Sequence, residues 1–274
     1  MLNFKGKLGY VPLLCLDDGH GVETAGKRTP AFPDGKVIRE NVWNKAVISL
    51  IAKDAQRLGF KVLLTAPEDT DTPLKVRTDR ANAAWSAYVK QLQAQGVKLA
   101  NPKKAAILYS QHYNAMESTW DGSKAEGVST HYYPGSIEGH KLAIAVQQYV
   151  SKGTPQKNRD IVESNFFVLR ESIMPAVLNE AGFMDDPREA ALMVDTAFQK
   201  ETATQALMGI CEYYGLAYEP EEESTPQEEA VNAALKVGLV SDRTYWLNVL
   251  TGKRPVDLKY LTQAFLNARG LQRQ

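Results

Sequence analysis

Residues 13–23, Leu13 to Glu23, read "LLCLDDGHGVE": a short apolar run that stops in two aspartates and a Gly-His-Gly turn. The apolar run predicts a buried strand. A buried strand normally ends in a turn chosen for backbone geometry. This one presents His20, one of only 4 histidines in the chain. In open α/β sheets, ligands gather beyond the carboxyl ends of the strands. The fold and the chemistry of the chain therefore turn on what else arrives at such positions.

Outward from this stretch, strand and helix patterns alternate. "ENVWNKAVISLIAKDAQRLG" carries Val42, Ala46, Val47, Leu50, Ile51, Ala55 and Leu58 at helical spacing, with Gly59 as its stop. "FKVLLT" reads as a second strand, "TPLKVRTDRANAAWSAYVKQLQAQG" as a helix and "AAILYSQH" as a third strand. Further along, "GVSTHYY" predicts a strand and "IEGHKLAIAVQQYVSKG" a helix. "NFFVLRES" and "MPAVLNEAGF" predict two strands, and "DPREAALMVDTAFQKETATQALMGICEYYG" one long amphipathic helix. The expectation is an α/β fold: a mixed, mostly parallel sheet flanked by helices.

That pattern covers residues 1–217. "EPEEESTPQEE", within 218–229, is acidic and nearly free of apolar residues, and reads as an exposed linker. Residues 230–274 then predict a small C-terminal helical module, too small to be firmly stable without a partner surface or a second copy.

Composition narrows the function. Lysine plus arginine and aspartate plus glutamate balance at 32 each, so nothing global argues for nucleic acid or an anionic membrane surface. No stretch is long enough to span a membrane. "MLNFKGKLGYVPLLCLDDGH" is not a secretory signal peptide, because its apolar run is short and meets charge. The expectation is a chain made in the cytoplasm and brought to any outside target by another route. Cys15 and Cys211 both fall on apolar faces and read as core residues, with no disulfide framework.

Several chemistry-bearing residues fall at strand ends. His20 and His112 ("YSQHYNA") each follow an apolar strand, as does Glu180 ("AVLNEAGF"), and Glu40 opens the first helix. Singly, each has a plain structural reading: a turn histidine, a helix-dipole glutamate, a buried ion pair. Together, two imidazoles and two carboxylates fit a zinc hydrolase, three side chains holding the metal and the fourth moving a proton. His131 reads as an exposed strand residue and His140 as a helix opener, both structural. Asn114 is a candidate for binding a substrate amide or bracing its loop, and Arg77 for anchoring a helix through an ion pair.

The ordered set "LDDGHG", "RENVWN", "SQHYNA" and "PAVLNEAGF" resembles the zinc-dependent N-acetylmuramoyl-L-alanine amidases of the amidase_3 type. "LKVRTDRAN", "EGVSTHYY" and "NRDIVESNFFVLRES" support it, and the resemblance spans roughly residues 10 to 217. It implies zinc bound by His20, Glu40 and His112, Glu180 as the catalytic residue, and peptidoglycan as substrate. The loop "GVETAGKRTPAFPDGK" resembles phage-encoded members, which implies an endolysin reaching the wall through a separate membrane pore. "WSAYVKQLQAQGVKLANPKKA" looks inserted, and is expected to reshape one wall of the substrate groove.

Other readings stay open. His20-x-x-Glu23 with a later His112 resembles zinc carboxypeptidases and acylases, with Glu23 replacing Glu40. A catalytically silent wall-binding protein is a second alternative. In the C-terminal module, Tyr245, Trp246 and Tyr260 either stack on sugar rings or pack a helical core, and the module attaches to the wall or to a second copy.

Overall fold

The computed structural model describes residues 2–120, 125–152, 154–221 and 225–271. Two units divide the chain, Met1–Glu219 and Pro220–Gln274. The first holds strands β1 (Leu13–Asp17), β2 (Lys61–Leu64), β3 (Ala106–Asn114), β4 (Val128–Tyr132), β5 (Asn158–Glu163) and β6 (Ala176–Phe183). Its helices are α1 (Phe4–Lys7), α2 (Glu40–Leu58), α3 (Leu74–Ala94), α4 (Ile137–Val150), α5 (Phe167–Arg170), α6 (Pro187–Leu192) and α7 (Thr196–Tyr213). The second unit holds α8 (Pro226–Lys236), α9 (Arg243–Leu250) and α10 (Leu258–Leu271).

The six strands form one sheet in the order β2-β1-β3-β6-β4-β5. All neighbours are parallel except β4 and β6, which run antiparallel. The mixed, mostly parallel sheet expected from the strand–helix alternation is what forms. Its two faces follow from the period-two geometry of a strand. Leu14, Leu16, Ile107, Tyr109 and Val177 pack on α2, α4 and α7 through Trp43, Val47, Val146 and Ile210. Leu13, Cys15, Leu108 and Leu178 pack on α3 and α5 through Ala81, Val89, Val168 and Leu169. Burying a large apolar side chain completely is worth about 1.5–3 kcal/mol, so these two layers hold the sheet. Both cysteines are free and buried in them.

A buried chain of side chains crosses the sheet on the α4 face. Tyr109 donates to Gln111 (2.8 Å), Gln111 to Asn179 (3.3 Å), and Asn179 to Thr130 (3.2 Å). Thr130 donates to Gln147 (2.7 Å), which donates to Asn158 (2.7 Å). A one-residue slip of any strand would break this chain and leave buried amides unpaired, so it fixes the register of β3, β6 and β4.

Four local expectations are corrected. "NFFVLRES" is not a strand; it forms α5, while the preceding "NRDIVE" is β5. β5 is an edge strand with exposed, charged side chains, and so lacks an apolar signature. The long helix is broken in two, because the Asp195 carboxylate caps the N–H groups of Ala197 and Phe198 and starts α7 afresh. The stretch 85–105 does not line the site. It completes α3 and returns to the start of β3, the opposite end of the strand from His112, and Tyr88 and Leu92 pack in the core. The acidic segment is shorter than expected, because a capping box at Thr225 and Glu228 starts α8 at Pro226; residues 222–224 of that segment lie outside the described residues.

In the second unit, Tyr245 is buried and stacks on Tyr260 with ring centroids 3.8 Å apart, so these two aromatics pack a helical core. No helix among the described residues is long and apolar enough to cross a membrane.

Candidate active site

The face of the sheet that packs on α3 turns polar where β1, β3 and β6 reach their carboxyl ends and the antiparallel β4 begins. Asp17 on β1 pairs with Ser110 on β3, His112 on β3 with Glu180 on β6, and Glu180 with Ser129 on β4. Side chains opposite one another in paired strands share a face, so His112 and Glu180 stand side by side. α2 packs on the other face, and its first residue, Glu40, reaches over the strand ends. The Glu40 Oε1 atom is 2.9 Å from His112 Nδ1 and accepts the Tyr113 N–H at 3.1 Å. Its Oε2 lies 3.5 Å from His20 Nε2. The two imidazoles meet edge to face, with centroids 4.8 Å apart. One donor atom from each of His20, Glu40 and His112 lies within 4.8 Å of the others.

Gly19 and His20 carry the turn that makes this possible. Both are left-handed, with φ of 50° and 59°. A Cβ on Gly19 would sit 2.5 Å from His112 Cε1 and 2.9 Å from the Gln111 carbonyl, so only glycine fits there. His20 has no such exemption, and its strained backbone is held by two donors. Arg77 Nη2 donates to the His20 carbonyl at 2.7 Å, and Asn41 Nδ2 donates to Gly19 and His20 carbonyls at 2.9 and 3.1 Å. Arg77 is 1% exposed and also binds Asp17 (2.9 Å), Asp18 (3.3 Å) and Asp71 (3.2 Å). Its ion pairs thus hold the first loop as well as α3. Asp17 in turn accepts from Ser110 (2.5 Å) and Thr65 (2.7 Å).

Electrostatics divide the roles. Burial depresses the pKa of His20, with Glu40 pulling the other way, so a neutral imidazole with a free lone pair is favoured. Burial opposes the Glu40 carboxylate, but the His112 hydrogen bond and the closeness of both imidazoles hold its pKa well below the usual range. For His112, burial opposes protonation and the Glu40 carboxylate overcomes it. Burial pushes Glu180 up to about 8, against the pull of His112 and Lys27 and with the push of Glu40.

The donor set passes a test for a metal. His20 Nε2, Glu40 Oε2 and Glu180 Oε2 are buried without a hydrogen-bond partner. Orphaned buried acceptors are costly, and an ion shared by His20, Glu40 and His112 would satisfy the first two. Two imidazoles and one carboxylate form a catalytic zinc set with room for further ligands.

Other sequence expectations fall elsewhere. Glu23 is exposed and accepts the Asp71 N–H (2.7 Å), outside the cluster, so the reading with Glu23 as ligand is set aside. Asn114 accepts the Ala115 N–H through its side chain (2.8 Å) and the Met184 N–H through its carbonyl (2.8 Å). His131 is buried, not exposed: Ser129 and Ser164 hold its ring nitrogens at 3.1 and 2.7 Å. His140 lies in the first turn of α4 against the Tyr132 ring. Sequence reasoning missed Asn41, which stands inside the quoted "RENVWN" and meets the Gly19 and His20 carbonyls.

The chain belongs to the Amidase_3 family, N-acetylmuramoyl-L-alanine amidase, whose pattern matches residues 14–212. It is 27% identical over 222 residues to the germination-specific N-acetylmuramoyl-L-alanine amidase of Bacillus subtilis, covering 81% of this chain and 85% of that one. To the endolysin of Bacillus phage SPP1 it is 27% identical over 209 residues, covering 74% of this chain and 66% of the other. Its first unit is similar to the crystal structure of N-acetylmuramoyl-L-alanine amidase from Clostridium difficile 630, at 29% identity and a TM-score of 0.60. That match covers 74% of this chain and 96% of the other.

Proposed function

We infer that this amidase is a zinc-dependent peptidoglycan hydrolase. It cleaves the amide between the lactyl carbonyl of N-acetylmuramic acid and the L-alanine of the stem peptide. The observation that carries this reading is the convergence of His20, Glu40 and His112 beside Glu180, whose buried Oε2 has no partner.

His20, Glu40 and His112 would hold the ion, which when bound acidifies a water and polarises a carbonyl. Glu180 does the proton work. Its raised pKa makes it a better base than an exposed glutamate, and then a usable acid. The carboxylate takes a proton from the attacking water and gives it to the alanine nitrogen as the C–N bond breaks. Without that proton the amide nitrogen is a very poor leaving group. Arg77 and Asn41 hold the backbone that aims His20, and Tyr113 N–H with His112 aims Glu40.

The role is that of a phage-type endolysin. Support comes from the resemblance of the loop after His20 to phage-encoded members and from the similarity to the endolysin of phage SPP1. Residues 1–217 form the catalytic domain, and residues 230–274 attach it to its working site, by the wall or by a second copy.

The test is product chemistry. Purified peptidoglycan is digested with and without a chelator, and new amino termini and new reducing ends are labelled. New N-terminal alanine, no reducing ends and loss of activity with chelator support the reading. A different new amino terminus, or chelator-resistant release, contradicts it.

A further inference from the structure

The row of side chains that starts at His112 on β3 continues past Glu180 on β6 to Ser129 on β4. Ser129 and Glu180 stand directly opposite one another in an antiparallel pair, which sets Cβ atoms about 4.5–5.5 Å apart on one face. His131, two residues further along β4, shares that face and lies opposite Leu178. Ser129 and His131 are both buried. Ser129 Oγ is 3.1 Å from His131 Nε2, and Ser164 Oγ is 2.7 Å from His131 Nδ1. Ser164 is itself fixed, because its N–H donates to the Tyr132 carbonyl at 2.9 Å. The Phe166 ring lies against the imidazole with centroids 5.2 Å apart. A buried, fully partnered histidine therefore ends in a hydroxyl that stands beside the proton carrier.

The directions of these hydrogen bonds can be worked out. Burial pushes the His131 pKa down to about 4, so its ring is neutral at ordinary pH. A neutral imidazole has one N–H and one lone pair, and a serine hydroxyl has one proton to give. Ser129 either donates to Nε2 or accepts from it. If it accepted, its own proton would be free, with the Glu180 carboxylate beside it to take that proton. Yet Glu180 Oε2 is buried with no hydrogen-bond partner among the described residues. That orphaned oxygen selects the other arrangement: Ser129 donates to Nε2, and Nδ1–H donates to Ser164. We propose that His131 is a positioning residue that holds the Ser129 proton away from Glu180, so that the carboxylate stays open to the proton of the attacking water. A donor on that carboxylate would occupy the lone pair that must receive the water's proton, and would have to be displaced in every turnover. His131 neither gains nor loses a proton in the cycle.

This inference rests on the amidase reading, and the experiment separates the two. Full-length, zinc-loaded proteins are assayed on a soluble muramyl dipeptide. His131→Phe frees the Ser129 hydroxyl and is expected to lower kcat about ten-fold, the size of one hydrogen bond to a charged group, with KM changed less than about two-fold. Zinc stoichiometry should stay as in wild type. Adding Ser129→Ala to His131→Phe removes the freed donor and should recover about five-fold of the loss, which a merely structural role would not allow. His131→Gln places an amide oxygen where Nε2 was and should recover a similar share. In the wild type, heteronuclear NMR of the His131 ring, identified by its loss in His131→Gln, should show the proton on Nδ1 and the lone pair on Nε2. Should His131→Phe not fold, His131→Leu with and without Ser129→Ala reads the same rates, and the ring tautomer is read on wild type alone. Unchanged kcat in His131→Phe, a double variant no faster than His131→Phe, lost zinc, or a ring protonated on Nε2 would each overturn the proposal. A wild-type enzyme that releases no alanine would instead overturn the amidase reading, while the ring tautomer would still judge the hydrogen bonds.

Discussion

Replacing Arg77 by Met tests how the first loop is held. Arg77 is 1% exposed and donates to Asp17, Asp18, Asp71 and the carbonyls of Thr72 and His20. Methionine fills part of the space but leaves Asp17, itself 1% exposed, without its cation. Removing one partner of a buried ion pair costs about 3–5 kcal/mol. In a unit of this size each kcal/mol moves Tm by about 2–4 °C, so the expected fall is roughly 6–20 °C near neutral pH. The pH dependence adds a sign. In the wild type, burial would raise the Asp17 pKa, but Arg77 and the Ser110 hydrogen bond reverse this and hold it low. The Asp17 contribution is therefore present above its unfolded pKa of about 3.9 and is lost only as pH falls through the lower folded value. Without Arg77, burial dominates and the folded pKa lies above the unfolded one. The penalty is then felt at high pH and fades as pH falls. Thermal unfolding at about pH 8 and pH 5 should show a larger wild-type-minus-variant gap at pH 8. Zinc affinity should also fall, because the His20 carbonyl loses its 2.7 Å donor. A Tm within about 2 °C of wild type at both pH values, with unchanged zinc affinity, would refute the claim that this guanidinium holds the loop.

Gly19→Ala places a Cβ 2.5 Å from His112 Cε1 at a φ of 50°. The expected result is backbone strain of about 1–3 kcal/mol and at least about ten-fold weaker zinc binding, read by chelator competition, with far-UV circular dichroism unchanged. Asn179→Leu removes the middle of the buried chain, taking one acceptor from Gln111 and the donor to the Thr130 hydroxyl. It should cost about 1–3 kcal/mol in urea unfolding, and some activity through the adjoining Glu180. Ending the chain at Glu219, the boundary of the first unit, should leave hydrolysis of a soluble muramyl dipeptide intact. Sacculus pull-down and oligomer mass then tell which attachment the removed helices supply.

Much of the fold was legible because its central strands are apolar runs buried on both faces. "LLCLD" and "MPAVLNEAGF" carry that pattern in composition alone. β5 was not legible: "NRDIVE" sits at the sheet edge with most side chains exposed, and only its pairing with β4 makes it a strand. "NFFVLRES" misled for the converse reason. Its apolar residues serve one helical turn, with Val168 and Leu169 on the core and Phe166 exposed. In the site, His20, Glu40, His112 and Glu180 stood out because each interrupts or ends an apolar pattern, and the structure brings them together. Asn41 did not stand out. The work of Asn41 is to meet backbone carbonyls that come from another segment. His131 was misread as exposed because no single-strand pattern shows that Ser164 closes over it.

The most direct test of the mechanism is the rate of alanine amino-terminus release by Glu180→Gln, with zinc content measured on the same sample. The substitution keeps size and hydrogen bonding and removes the proton carrier. The expected result is stoichiometric zinc, a wild-type Tm and a kcat lower by about 10²–10⁴-fold, the range for losing a general acid–base. A zinc-loaded Glu180→Gln enzyme that turns over within about ten-fold of wild type would contradict it, and the proton carrier would have to be sought elsewhere in the site.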